Sequence, residues 1–210
     1  MGVQIITDST SDLSGEMQKK LGVEVIPLHI FFGGEEYTDG VTLQTKEFYE
    51  KLSRSEELPR TVQITPPEFE TVFRRVLAQG DQAVVILISS VLSGTYQSAC
   101  IARDMLGSKD IFVVDSGNVT MGLTVLVEYA VRLRERGLSA GEIFEELERS
   151  KDRVRVFAVI DTLKYLQKGG RLSKSTAMIG TLLQVKPVIC VYQGDITVIQ
   201  KVPSGGWRIC

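Results

Sequence analysis

The 210-residue chain carries one histidine, three cysteines and one tryptophan, and its 24 basic side chains face 26 acidic ones for a formal net charge of −2. Each shortage closes off a kind of chemistry. The lone imidazole, His29, lies in the strand-like run Leu28-His29-Ile30-Phe31, so no histidine-rich metal site can form. No GxSxG turn accompanies it to complete a hydrolase triad. Cys100, Cys190 and Cys210 are odd in number, widely spaced and without a CxxC pair, which argues against a disulfide framework and a thiolate zinc site. The balanced charge lacks the basic field that supplies most affinity for nucleic acid. No apolar run approaches the roughly 18 residues that cross a bilayer, and Met1–Thr7 lacks the basic start and apolar stretch of a signal peptide. A cytoplasmic protein is expected, in which the Asn118-Val119-Thr120 sequon is incidental. Nucleotide motifs are missing too. No GxGxxG follows a strand, and Gly170-Arg171-Leu172-Ser173-Lys174-Ser175-Thr176 has no Gly before Lys174, as a Walker A needs.

What remains is a regular alternation. Val3–Thr7, Val23–Phe32, Ala83–Ile88, Ile111–Val114 and Val154–Ile160 read as strands, and Ala83–Ile88 is almost continuously apolar, as a parallel strand covered on both faces should be. Helices are expected over Asp12–Leu21, Gly94–Leu106, about Val119–Arg136, and after Ser139 and Thr65. Thr65-Pro66-Pro67-Glu68 has the residues of a capping box with prolines in the first turn. Gly33-Gly34 offers a hairpin turn before Glu35-Glu36-Tyr37. The order predicts an α/β fold with a doubly wound, mostly parallel sheet. Beyond Asp161 come two short helices, Thr162–Gln167 and Lys174–Leu183, and an antiparallel hairpin through Gln193-Gly194-Asp195. A smaller α+β unit is expected there, giving an α/β domain over residues 1–160 and an incomplete second domain over 161–210.

In an open α/β sheet, ligands bind beyond the carboxyl ends of the strands. Three polar clusters occupy those ends: Thr7–Asp12, Ser89–Thr95 and Asp115–Asn118. In the second, the Ser93 hydroxyl and the N–H groups of Gly94 and Thr95 can converge at the positive end of the following helix, a seat for carboxylate or phosphate. Capping of that helix is the plainer role for Ser93, as capping of the first helix is for Asp8 and Asp12. Farther on, Lys168-Gly169-Gly170-Arg171-Leu172-Ser173 combines a flexible backbone, a planar Arg fork and a Ser that can cap the next helix. Its plainer reading is a Gly-stopped helix with solvated basic residues.

Taken in order, these pieces resemble the DegV family of bacterial fatty-acid-binding proteins. The matching segments are Thr7–Leu13, Pro59-Arg60-Thr61-Val62-Gln63, Ser90–Ala99, Val114-Asp115-Ser116 and Leu163–Ser173, with Lys186-Pro187 beyond. The resemblance implies a long-chain fatty acid held between two domains without a cofactor. Thr61 and Ser93, with Gly94 and Thr95, would bind its carboxylate, and Arg171 and Ser116 would contact the head-group or a partner. Ile88, Leu92, Met121, Leu123, Leu166, Met178, Ile179 and Leu182 would line an apolar tunnel. It also implies a division of labour in which a separate ATP-dependent fatty acid kinase phosphorylates the carboxylate while this chain carries the lipid. A small-substrate phosphotransferase or phosphocarrier of related fold is the alternative. The family's Thr-Ser-Gln-Pro appears here as Thr61-Val62-Gln63-Ile64. Family members run about 70 residues further, so a shortened second domain with a partly open tunnel is expected.

Overall fold

A computed structural model describes residues 2–55, 57–172 and 185–203. The first half runs β1 (Val3–Asp8), α1 (Gly15–Leu21), β2 (Val23–Ile26), β3 (His29–Phe32), β4 (Glu35–Thr38), α2 (Thr45–Arg54), β5 (Arg60–Val62), α3 (Pro66–Ala78) and β6 (Gln82–Leu87). There follow α4 (Thr95–Leu106), β7 (Ile111–Asp115), α5 (Met121–Glu135), α6 (Ala140–Ser150), β8 (Val156–Val159), α7 (Lys164–Lys168), β9 (Val185–Tyr192) and β10 (Asp195–Pro203).

The central sheet is parallel throughout, in the order β2-β1-β6-β7. Alternation along its strands divides the core in two. Ile5, Val84, Ile86 and Val114 face α5 and α6 through Leu123, Leu126, Ile143 and Leu147. Ile6, Val85, Leu87 and Val113 face α3 and α4 through Phe69, Phe73, Ala99 and Ala102. Because both faces are covered, every residue from Ala83 to Leu87 is fully buried, which is why β6 is apolar without interruption. Phe69 and Phe73 stack at 5.6 Å in that core, and truncating either to Ala would cost about 3–5 kcal/mol. This is the doubly wound α/β arrangement expected.

Its topology sets where a ligand can sit. After β1 the chain turns to the α5 side, where Leu13, Met17 and Leu21 pack, whereas after β6 it turns to the opposite face with α4. The carboxyl ends of these adjacent strands therefore diverge and leave a crevice between them.

Two small antiparallel sheets flank this unit, β4-β3-β5 and β10-β9-β8. The first turns at Gly33-Gly34, with Phe32 opposite Glu35. The second turns at Gln193-Gly194, both with positive φ (49° and 84°), as a two-residue hairpin of the type I′ kind requires.

Three expectations are corrected. The strand expected over Val154–Ile160 forms as β8, but it pairs antiparallel with β9 and not with the parallel sheet. Phe157 and Val159 stay exposed while Val156 and Ala158 are half-buried, so the run is an edge strand covered on one face. The first helix starts at Gly15 and not near Asp12, because Ser14 caps it by accepting from the Met17 N–H at 3.2 Å. Asp8 caps only the 3-10 turn Ser9–Ser11, and Asp12, with φ of 55°, caps no α-helix. The helix expected over Lys174–Leu183, its Ser173 cap, the apolar Met178, Ile179 and Leu182, and the tail with Trp207 and Cys210 lie outside the described residues.

Candidate functional site

Two aspartates assemble the rim of the crevice. Asp8, at the end of β1, accepts the Ile88 N–H through Oδ2 at 2.8 Å, which ties it to the end of β6. Its Oδ1 accepts the Thr10 N–H at 2.9 Å and the Thr10 hydroxyl at 2.5 Å. Burial pushes the Asp8 carboxyl above its ordinary value, and the three donors offset only part of that. Burial also raises Asp12, helped by the negative charge of Asp39. Asp8 is thus spent on architecture. Asp115, at the end of β7, receives the Ser90 and Gly117 N–H groups, each at 3.1 Å, and the Ser90 hydroxyl at 2.5 Å. The turn closes when Leu92 and Ser93 donate to the Ser89 carbonyl at 3.0 and 3.1 Å.

This turn delivers Ser93 to the start of α4. The capping position belongs to Gly94, which has no side chain to do the work. Ser93 Oγ lies 3.0 Å from Thr95 Oγ1 and receives the Thr95 N–H at 3.3 Å, a weak bond. Thr95 is buried, and Ser93 is half-buried. A half-open hydroxyl at the positive end of a 12-residue helix is a donor set suited to an anion.

Gln63 brings the Thr61 segment to the same place. A Cβ on Gly94 would fall 2.0 Å from Gln63 Oε1, so the amide lies directly on the glycine. Gln63 Nε2 donates to Ser98 Oγ, one turn into α4, at 3.0 Å. Thr61, two residues before Gln63, is exposed on β5 opposite Ile30. Sequence reasoning kept Gln63 as a residue of the matched family segment but gave it no role. Nothing in the sequence alone links it to Gly94, the residue its amide covers.

Arg171 also reaches this rim. Its Nε donates to the Leu92 carbonyl at 3.2 Å and its Nη1 to the Gly169 carbonyl at 2.6 Å, which sets the guanidinium one residue from Ser93. Ser116 does not share this position. It is buried, and its hydroxyl both donates to the Asn118 carbonyl and accepts the Asn118 N–H at 3.0 Å. Its one proton is thus committed within its own turn.

Behind the turn lies an apolar cluster. Ile88 and Leu92 from the rim meet Leu163, Ile189, Val191 and Ile196, with Leu166 and Val198 packed alongside. Leu123, expected here, sits instead in the helix–sheet core, and Met121 is exposed. The site therefore has donors at its mouth and hydrocarbon behind it. His29 stands apart, with Nε2 2.7 Å from Glu68 Oε1 and Nδ1 2.9 Å from Glu36 Oε1. Among the described residues, no group of His, Cys, Asp or Glu is placed to hold a metal. Among them also, no helix is long and apolar enough to cross a membrane.

A family model described as "Uncharacterised protein, DegV family" matches residues 2–205. A DegV domain-containing protein of Caldanaerobacter subterraneus is 42% identical over 200 residues, covering 95% of this chain and 71% of that protein. Among solved structures, a fatty-acid-binding DegV protein of Thermus thermophilus is 34% identical with a TM-score of 0.87, covering 97% of this chain and 72% of that one. A stearic-acid-binding protein of Eubacterium ventriosum is 32% identical, also with a TM-score of 0.87, over 97% of this chain and 71% of its own. DegV of Bacillus subtilis, a fatty-acid-binding protein, is 33% identical with a TM-score of 0.85, over 98% and 73% of the two chains.

Proposed function

The chain belongs to the DegV family, and on that footing we propose that it binds a long-chain fatty acid, with the carboxylate at the N-terminus of α4. One observation carries the reading. The Ser93 turn and the Gln63-anchored β5 meet at a helix start directly in front of the apolar cluster of Ile88, Leu92 and Ile189. Thr61 and Ser93 then supply hydroxyl donors, Gly94 and Thr95 supply the helix terminus, and Arg171 stands one residue away for the head-group or a partner. The parallel-sheet unit carries the carboxylate loops, and the β8–β9–β10 sheet with Leu163 covers the acyl chain.

In this reading the chain works as a carrier in the cytoplasm, and the Thr61 and Ser93 hydroxyls hold the carboxylate without attacking it. A separate ATP-dependent fatty acid kinase converts the presented carboxylate to an acyl phosphate. A phosphocarrier would need an exposed imidazole at the rim, and His29 is engaged by two carboxylates elsewhere.

Native mass spectrometry of freshly purified protein, with extraction and fatty-acid analysis, tests the reading. A co-purifying or added long-chain fatty acid should bind, and Ser93→Ala with Thr61→Ala should weaken it by ~100-fold, as two hydrogen bonds to a charged group would. Absence of binding by the unaltered chain, or full binding by the double variant, would overturn it. Label transferred from ATP or phosphoenolpyruvate to this chain alone would favour a phosphocarrier instead.

A further inference from the structure

We propose that Gln63 is a positioning residue of the carboxylate seat, holding Thr61 over the first turn of α4 so that its hydroxyl and that of Ser93 address one anion. The inference rests on the carboxylate reading above and extends it to a residue that touches neither hydroxyl. Three observations lead there. Gln63 bridges two elements that are otherwise separate at this point, since its Nε2 donates to Ser98 Oγ while its Oε1 lies on Gly94. Ser98, the acceptor, is buried within α4, so the bond ties the Thr61 segment to the body of that helix. The helix is also built to receive the amide, because a side chain of any kind at Gly94 would occupy the space that Gln63 fills.

The amide group adds a chemical condition. It is neutral, so it tethers β5 without placing charge beside the seat. A glutamate has nearly the same shape but would put a negative charge over the first turn of α4, within a few ångströms of any anion held there. Repulsion would disappear when either carboxyl takes up a proton.

The experiment compares the unaltered chain with Gln63→Ala and Gln63→Glu, using a fluorescent long-chain fatty acid as probe and thermal melts to confirm folding. Gln63→Ala should bind ~10-fold more weakly at every pH, the worth of one positioning hydrogen bond. Gln63→Glu should lose at least ~10-fold near pH 8 and recover most of it near pH 5, a pH profile absent from the other two. Unchanged affinity in both variants overturns the inference and leaves the fatty-acid reading standing. So does a loss in Gln63→Ala accompanied by a flat profile in Gln63→Glu, which would make Gln63 a structural tether remote from the anion. An unaltered chain that binds no fatty acid overturns the carboxylate reading itself, a result distinct from either.

Discussion

Ser89 Oγ donates to the Gly194 carbonyl at 2.8 Å, across 105 residues of sequence. The partner bond, Gly194 N–H to the Gly117 carbonyl at 3.0 Å, completes a clasp between the rim of the parallel sheet and the β9–β10 hairpin. Both groups of Gly194 are therefore committed, and its φ of 84° lies where side chains are disfavoured.

Gly194→Ala should open that clasp. The new Cβ would lie 2.6 Å from Ser89 Oγ and 3.0 Å from Val91 Cγ2. A positive-φ penalty of about 1–2 kcal/mol adds to a lost hydrogen bond of about 1 kcal/mol. Urea unfolding should show a loss of about 2–3 kcal/mol. Ser89→Ala should lose less, and the two changes together should fall short of their sum because they break the same bond.

Gly94→Ala should separate stability from binding. The atoms it would strike are the far end of the flexible Gln63 side chain, which can swing away at the cost of one hydrogen bond, about 1 kcal/mol. The melting temperature should change little, while retention of a long-chain fatty acid, measured by extraction from the purified variant, should fall clearly.

Asp8→Asn should be costly although it alters one atom. An amide can replace only one acceptor edge of the carboxylate, which leaves its NH2 facing either the Ile88 or the Thr10 donors. One buried N–H then lacks a partner, for about 1–3 kcal/mol by chemical denaturation. A loss below 0.5 kcal/mol, roughly the scatter of neutral surface changes, would contradict this account.

Glu68 supplies a pH dependence. Burial by itself would raise its carboxyl, but hydrogen bonds from Thr65 and His29 outweigh burial and hold it below the ordinary 4.5. A lowered folded-state value stabilises the protein fully above the unfolded value and is lost as pH falls through the folded one. Melting curves of the unaltered chain and Glu68→Gln should therefore differ most near neutrality and converge between roughly pH 5 and pH 3. Parallel curves down to pH 3 would place the stabilisation elsewhere.

The parallel sheet was legible because its strands are covered on both faces and so lack polar interruptions, as the run Ala83–Leu87, rich in β-branched residues, shows. Thr65 and Glu68 announced their helix because capping is local chemistry, and Glu68 does reach back to the Thr65 N–H at 2.8 Å. β8 was misassigned for a reason of the same kind. Its apolar residues suit any sheet, and pairing with β9 depends on residues about 30 positions away. The place of Ser93 before a helix was legible in the sequence, whereas the bonds of the Ser116 hydroxyl to Asn118 within its own turn were not. Gln63 was visible as part of the matched motif but without a role, since its partners are a glycine and a serine on another element.

The bond from Asp8 to the Ile88 N–H spans 80 residues, and it has a consequence in time. β1 is flanked by β2, made soon after it, and by β6, made much later. At a synthesis rate of about 5–20 residues per second, the strand waits roughly 4–16 s for its second neighbour. Throughout that interval one edge of β1 offers unpaired backbone groups to any other nascent chain, and Ile5 still awaits its cover from α5 and α6. Factors that shield emerging strands, or a pause in synthesis before residue 82, should therefore govern how much of this protein reaches its native state.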